Sequence, residues 1–314
     1  MTTCYHIQTH DRPQQVFRLV SMIKEQTPQS YVLVSHKTSG PPLDVRGLES
    51  MPDVHVLPAT GGLGDFSHVD RYLESVEWLL DHDVDFRWLT NLTGQDYPIR
   101  PLPEIEQELA TSVVDGFLQH ARLLEHGGNT EGICTPRIAR DRYLYRHWRF
   151  GLPSERKQRL LRPAMIVNHL QPWLRVSTTA ASVGLRRRTT PFTEGFELFG
   201  GAFYCTLSRD CLVYLRDFAR ENPDVVRFMR ATLNPEEIFF HTVLVNSGRF
   251  QFHNGSKRYQ DYSGGRHGHS QIFGLDDFDR IVASGDHFAR KFDLDAAPEV
   301  LDRLDRQVLN RLPN

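Results

Sequence analysis

Cysteine is scarce in this sequence. Its four residues, Cys4, Cys134, Cys205 and Cys211, follow no metal-ligand spacing, which excludes a cysteine-based zinc module and a disulfide-stapled scaffold. They read as buried free thiols in a reducing compartment. Long apolar runs are lacking as well. No stretch approaches the ~18 consecutive apolar residues that span a bilayer, and the opening MTTCYHIQTH has neither a basic lead nor an apolar run. The expectation is a cytoplasmic chain without a membrane span. The formal net charge is only −2 at pH 7, so no global field draws the chain to nucleic acid or to an anionic membrane. Repeats and low-complexity tracts are missing too, which excludes solenoids and biased disordered segments. What is present is a globular composition, 39% hydrophobic and 24% charged over 314 residues, long enough to bury a large core.

The first hundred residues alternate between two periods. CYHIQT (4–9), YVLVS (31–35), VHVL (54–57) and FRWLTNL (86–92) read as strands. Pro13 opens a helix with Val16, Leu19, Val20 and Ile23 on one face. Ser67 and Asp70 form an S-x-x-D cap ahead of a stripe containing Val69, Tyr72, Leu73, Val76, Leu79 and Leu80. This order predicts an α/β fold with a mainly parallel central sheet flanked by helices. Farther on, PEIEQELA (103–110) predicts a helix, VVDGFLQ (113–119) a strand, and FGGAFYCTLS (199–208) another strand, after which Ser208 caps a helix carrying Leu212, Leu215 and Phe218. The intervening residues 125–195 are polar, basic and broken by proline and glycine, with a helix at 154–162. They read as a long basic insertion over the sheet edge within a single domain spanning 1–314. Between residues 137 and 162 there are eight arginines and one lysine against Asp141 and Glu155.

In open α/β sheets, ligands bind beyond the carboxyl ends of the strands. That rule marks Gln8 to Arg12, Ser35 to Thr38 and Thr93 to Tyr97. In TGQDYPI (93–99), Asp96 reads either as a turn cap ahead of Pro98 or as a residue at the edge of a nucleotide-sugar pocket. In NPEEIFFHTVLVNS (234–247), Asn234 reads as an N-cap, Pro235 as the first helical residue and Glu237 as a capping-box glutamate. Glu237 also shares a face with His241 four residues on. The helix dipole favours its anion, and an ionised carboxylate is what a general base requires. FARKFDLD (288–295) sets Arg290 and Lys291 between phenylalanines, as a solvated cation pair or as a diphosphate clamp. GGRHGHSQIFG (264–274) places Arg266, His267 and His269 among glycines that permit close approach to a phosphate, without a third metal ligand. The D-x-D pairs Asp83/Asp85 and Asp293/Asp295 read as surface charges.

Together these segments resemble the core-2/I-branching β-1,6-N-acetylglucosaminyltransferase family, which also includes the peptide O-xylosyltransferases. HDRPQQVFRLV (10–20), GDFSHVDRYLESVEWLL (64–80), FRWLTNLTGQDYPIR (86–100), GGAFYCTLSRDCLVYL (200–215), NPEEIFFHTVLVNS (234–247), IFGLDDFD (272–279) and FARKFD (288–293) follow the family order. The resemblance implies a type A glycosyltransferase fold and inverting, metal-independent transfer of a GlcNAc- or xylose-type sugar from a UDP-sugar to an acceptor hydroxyl, with no cofactor. It implies Glu237 as the catalytic base, because NPEE stands where the family has S-P-D-E, and Lys291 as a diphosphate contact. The family arginine before I-F-G falls at Gly268, so Arg266 or a neighbouring histidine such as His269 takes its place. His36 stands where the family has an aspartate that touches uracil, and Gln8 where it has an apolar contact. The expected donor-binding set is therefore Gln8, His36, Asp96, Arg266, His269, Arg290 and Lys291. The family's animal members are Golgi membrane proteins rich in disulfides, so a chain without either feature is expected to be a bacterial or viral-type member.

The acceptor, a glycan or another hydroxyl compound, is expected to meet the 125–195 insertion, since loops on a rigid sheet carry specificity. The run 137–162, with Tyr143, Tyr145 and Trp148 among its arginines, reads either as a solvated surface or as a grip for a polyanion such as a phosphorylated glycan or nucleic acid. Two other functions fit the same residues: a non-catalytic sugar-nucleotide or glycan-binding module, and a nucleic-acid binder acting through the basic run.

Overall fold

A computed structural model describes residues 2–61, 64–125, 134–151, 154–263 and 270–309, with backbone alone at 155 and 157. Its strands, in chain order, are β1 (Thr3–Thr9), β2 (Tyr31–Lys37), β3 (Val54–Ala59), β4 (Trp88–Thr93), β5 (Asp96–Pro98), β6 (Gly116–Phe117), β7 (Ala121–Arg122), β8 (Tyr145–Arg149), β9 (Leu174–Ser177), β10 (Ser182–Arg186), β11 (Phe199–Gly200), β12 (Thr206–Ser208), β13 (Phe252–His253), β14 (Arg258–Gln260) and β15 (Phe288–Arg290). Seven of them form the central sheet in the order β13-β6-β12-β4-β1-β2-β3. Every pairing in it is parallel except those of β12, which runs against both neighbours. The mainly parallel α/β architecture expected from the alternation is present. Gln8 pairs in register with Ser35 on one side and Thr93 on the other, so the three strand exits marked from sequence stand side by side.

Alternation along the strands explains how the sheet is covered. Tyr5, Ile7, Val32, Val34, Trp88 and Leu92 face one core, built with the helices Pro13–Gln26, Leu102–Thr111 and Pro298–Leu309. Cys4, Leu33 and Leu89 face the other, built with the helices Ser67–Asp81, Arg209–Glu221 and Phe239–Asn246. Each fully buried Leu, Val, Ile or Phe contributes about 1.5–3 kcal/mol, so two continuous cores on a parallel sheet fit its unbroken apolar strands. The cysteines belong to this packing: Cys4, Cys205 and Cys211 are buried and Cys134 partly so, all as free thiols.

Several local expectations shift. Ser67 is already helical, and its backbone N–H and hydroxyl both go to Asp65, while Asp70 pairs with Arg230 at 2.6 Å. The cap is therefore set two residues earlier than the S-x-x-D pattern suggests. Ser208 does cap its helix, accepting from the Cys211 N–H. The strand expected over 113–119 contracts to β6. The one expected over 199–208 splits into β11 and β12, because the Gly201 N–H leaves the ladder and donates to the Glu237 carbonyl at 2.9 Å. Asp83 and Asp85 are exposed as expected. Asp293 is not a surface charge: it is buried and pairs with Arg12 at 2.6 Å.

The basic segment is folded rather than loop-like where it is described. A helix, Pro136–Tyr143, leads into the antiparallel meander β8-β10-β9, with the short helices Glu155–Leu161 and Val167–Leu170 between β8 and β9. Tyr145 and His147 on β8 are buried, and the His147 N–H donates to the Ala231 carbonyl at 2.9 Å, which ties the inner side of the meander to the body.

Candidate functional site

The NPEE segment differs from a helix cap. Asn234 adopts the left-handed conformation (φ 51°, ψ 52°), Pro235–Glu237 form a single 3-10 turn, and the α-helix starts only at Phe239. The break at Ile238 (φ −126°) cancels the expected Glu237–His241 alignment. His241 is buried, with Nε2 3.1 Å from the Ala202 carbonyl oxygen. Glu237 instead accepts on Oε2 from Arg142 Nη1 at 2.7 Å and from the Tyr143 hydroxyl at 3.3 Å, and on Oε1 from Asn234 Nδ2 at 3.2 Å. Its side chain remains 30% exposed. Glu236 beside it has one carboxyl oxygen shut off from solvent without a partner among the described residues. Burial, and then the charge of Glu237, push its pKa up to about 8, so at neutral pH Glu236 holds its proton. The two adjacent glutamates are thereby separated into a neutral and a paired member.

The segment 201–204 connects the main chain of Glu237 to a group of cations. Gly201 bonds the Glu237 carbonyl, and three residues later the Tyr204 ring lies 4.2 Å from the Arg290 guanidinium. Three residues span at most about 11 Å. Arg290 is paired in register with Asp96, and Lys291 follows it, partly exposed. Burial first, then the charges of Arg290 and Arg12, lower the Lys291 pKa. Arg290 Nε and Nη1 have no hydrogen-bond partner among the described residues, and neither do Arg258 Nε and Nη1. Two such buried arginines against the one carboxylate they share, Asp96, leave a net positive charge next to Lys291. Arg12 supplies another positive centre, held by Asp293 and set in a left-handed conformation (φ 51°) before Pro13. Arg12 and Asn234 both precede prolines, which disfavour helical backbone at the preceding residue. Such left-handed residues cost on the order of 1 kcal/mol each and cluster at functional sites.

The other expected donor contacts are placed differently. Asp96 is fully buried, and its Oδ2 accepts from the Thr93 N–H and from the Thr93 hydroxyl at 2.6 Å. Oδ1 lies 3.4 Å from Arg258 Nε. Asp96 therefore caps the 93–96 turn and balances the buried arginines; with no exposed surface it does not stand at a pocket edge. Gln8 is buried, donating to the His68 carbonyl at 3.3 Å, with its own carbonyl 3.4 Å from His68 Nδ1. His36 is also buried, with Nε2 3.0 Å from the Pro41 carbonyl oxygen. Arg266, His267 and His269 lie outside the described residues. Among the described residues no group of three or more His, Cys, Asp or Glu is placed to hold a metal ion.

Sequence reasoning missed three residues that organise the site. Arg142 and Tyr143 carry the Glu237 contacts from 95 and 94 positions away; the only hint was the richness of their segment in arginine and tyrosine. Arg71 is buried under the strand exits and donates to the Ser35 carbonyl at 2.6 Å and the Thr9 carbonyl at 3.3 Å. It pins the ends of β1 and β2 together, although in sequence it looks like a solvated helix residue.

Comparisons with known proteins bear on this arrangement. No family model matches the chain. The Arabidopsis thaliana β-glucuronosyltransferase GlcAT14A is 24% identical over 248 residues, covering 78% of this chain and 48% of that protein. The human N-acetyllactosaminide β-1,6-N-acetylglucosaminyl-transferase is 26% identical over 270 residues, covering 80% of this chain and 57% of that protein. These relatives are glycosyltransferases. Arabidopsis GlcAT14B, at 26% identity over 247 residues with 77% and 49% coverage, is a third. The chain spans about half the length of the curated relatives it matches. Among solved structures, a nucleoside-diphosphate-sugar pyrophosphorylase from Vibrio cholerae aligns over 81% of this chain and 90% of that one, with a TM-score of 0.34 and 9% identity, too loose a likeness to carry an argument.

Proposed function

We propose that the chain is a glycosyltransferase that moves a sugar from a UDP-sugar to an acceptor hydroxyl with inversion and without a metal ion. The reading rests on one arrangement: the partly exposed carboxylate Glu237 is oriented by Arg142, Tyr143 and Asn234, and its main chain is bonded to Gly201, three residues from Tyr204, whose ring lies on Arg290 next to Lys291. Glycosyltransferase relatives over more than three quarters of the chain support it.

In this mechanism Arg142 and Tyr143 occupy Oε2 of Glu237, which leaves Oε1, with its single 3.2 Å bond from Asn234, as the proton acceptor. The acceptor hydroxyl gives its proton to Oε1 as its oxygen bonds to the anomeric carbon. The bond from that carbon to the diphosphate oxygen breaks, and its electron pair leaves with the diphosphate. Lys291, in the field of Arg290 and Arg12, meets the growing negative charge. Attack opposite the leaving group inverts the anomeric centre. Glu236, protonated at neutral pH, keeps a second negative charge away from the departing phosphate.

The test is a thermal-shift and turnover screen of UDP-GlcNAc, UDP-glucuronic acid and UDP-xylose, with and without chelator. One donor is expected to raise Tm equally in both conditions. Glu237→Gln should retain that shift while turnover falls about 10²–10⁴-fold. Near-normal transfer by Glu237→Gln would remove the assigned base, and dependence on an added divalent ion would remove metal independence. Donor binding without hydrolysis or transfer by the unaltered chain would mark a sugar-nucleotide-binding module.

A further inference from the structure

The overall charge of −2 conceals a segregation. Residues 146–193 carry ten arginines and lysines against the single Glu155, while the rest of the chain carries 27 basic against 38 acidic residues. The same segment exposes large apolar side chains. Leu160 (72%), Ile166 (62%), Leu170 (75%) and Trp173 (62%) are among the most exposed in the structure. On the meander, cross-strand register sets Trp148 opposite Val183 and Arg146 opposite Leu185, which in turn faces Leu174. Directly opposed residues share a face, so Trp148, Leu185, Leu174 and Arg146 lie on one side of the small sheet. That side is the outer one: Trp148, Leu185 and Leu174 are 45%, 46% and 39% exposed, whereas Tyr145 and His147, alternating with them on β8, are buried. Asn168 bonds both the N–H and the carbonyl of Val176, so the helical segment bearing Ile166 and Leu170 runs along the β9 edge of this sheet.

Cations flank one end of the apolar surface. The Arg146 guanidinium lies 5.3 Å from the Trp148 ring centre. A shallow cavity of about 310 Å³ is lined by Arg146, Arg186, Arg187 and Arg188 beside Leu185 and Phe228. Arg187 Nε is buried there without a partner among the described residues. Burial, and then the charge of Arg146, lower the Arg187 pKa to about 10. Four arginines line this cavity without a carboxylate among its lining residues, which makes it a concentration of positive charge suited to an anion.

We propose that the outer face of the β8-β10-β9 meander, with the adjoining 160–174 segment, docks on an anionic phospholipid bilayer, seating Trp148, Leu185, Leu170 and Trp173 among the acyl-chain ends while Arg146 on that face and Arg188 just past β10 meet lipid phosphates. This pairing of Trp, Leu and Ile with surrounding arginine is the chemistry of an interfacial membrane surface. A second copy of the chain fits poorly, because a self-complementary interface would oppose like charges. Nucleic acid would use the arginines but would leave the exposed leucines and Ile166 without a partner. The inference does not depend on the sugar-transfer reading.

The full chain should co-sediment with phosphatidylcholine vesicles containing phosphatidylserine, and far less with phosphatidylcholine alone. Two of its four tryptophans, Trp148 and Trp173, are exposed on this segment, so binding should blue-shift the fluorescence, and Trp148→Phe/Trp173→Phe should abolish most of that shift. Arg146→Ala/Arg188→Ala should weaken vesicle binding about 30-fold, and Leu185→Ser/Leu170→Ser should weaken it even at low salt, each with Tm unchanged. The proposal is overturned by failure to bind phosphatidylserine vesicles, by binding unaltered in both double variants, by a dimer that Leu185→Ser dissociates, or by tight salt-dependent binding to RNA or DNA with vesicles ignored.

Discussion

In β1, β2 and β4 even the polar side chains are buried, whereas in the β8-β10-β9 meander even large apolar ones are exposed. His6, Gln8, Ser35 and Asn91 lie inside the protein on strands covered from both sides. There the buried Arg71 bonds carbonyls of two strands, and Asn91 donates to the Phe203 carbonyl at 3.2 Å. Trp148, Leu174 and Leu185 stand on a sheet covered from one side only. A sheet enclosed by helices has to satisfy its polar groups internally, because water cannot. A sheet enclosed on one side leaves its other face to whatever partner the protein meets. The two regions join at Glu237, whose loop packs with the central body while its strongest bond comes from Arg142 of the basic segment.

Truncation in the enclosed region should have the largest effect. Phe240 is fully buried against Tyr72 and Phe203, and Phe240→Ala should cost about 3–5 kcal/mol in urea unfolding. Leu185→Ser on the open face should stay within about 0.5 kcal/mol; a large loss there would mean that the face is packed in solution. Next comes the junction. Arg142→Ala removes a charge-assisted bond worth about 1.5–3 kcal/mol, so turnover should fall about 10- to 150-fold with donor affinity kept. Partial rescue by Arg142→Lys would show that charge, rather than packing, positions the carboxylate, and unchanged turnover would dissociate the basic segment from the chemistry.

A smaller, graded contrast should appear with pH. Burial lowers the pKa values of His6 and His241 to about 3. The folded-state values thus lie below the unfolded value of ~6.5, so the unfolded chain takes up protons first. Stability should be intact above pH ~6.5 and fall as pH drops towards 3, by up to about 1.4 kcal/mol per pH unit for each histidine. Urea midpoints from pH 7 to 4 would measure this, and a flat profile would contradict enclosure of both rings. Glu236 acts in the opposite direction. Its raised folded pKa makes stability decline from pH ~4.5 to about 8, and Glu236→Gln should abolish that component.

Much of the enclosed region was legible beforehand, for identifiable reasons. Apolar runs at 31–35 and 86–92 and the helical stripe from Val69 to Leu80 are local periodic signals, and the corresponding elements formed with ends shifted by a residue or two. The strand exits followed from one rule about parallel sheets. Of the two readings of Asp96, the structure shows the turn cap; it was also counted among the donor contacts because a turn cap and a pocket carboxylate look alike until burial is known. The 199–208 strand was overextended because its glycines serve the Glu237 contact rather than a ladder. The meander was read as an excursion because its alternation is short and its arginines mask it.

The order of strands and helices, the two apolar faces of the sheet and the position of a carboxylate pair after a proline at 235 are properties of sequence alone, since they arise from steric and hydrophobic preferences acting over a few residues. Only the tertiary structure decided that Glu237 pairs with Arg142 while Glu236 holds a proton, that Asp96 turns inward, and that one face of a basic sheet remains open. Those outcomes depend on contacts between residues from 95 to 162 positions apart. In such contacts burial and Coulomb terms, which no local pattern encodes, set the charge state and exposure of each group.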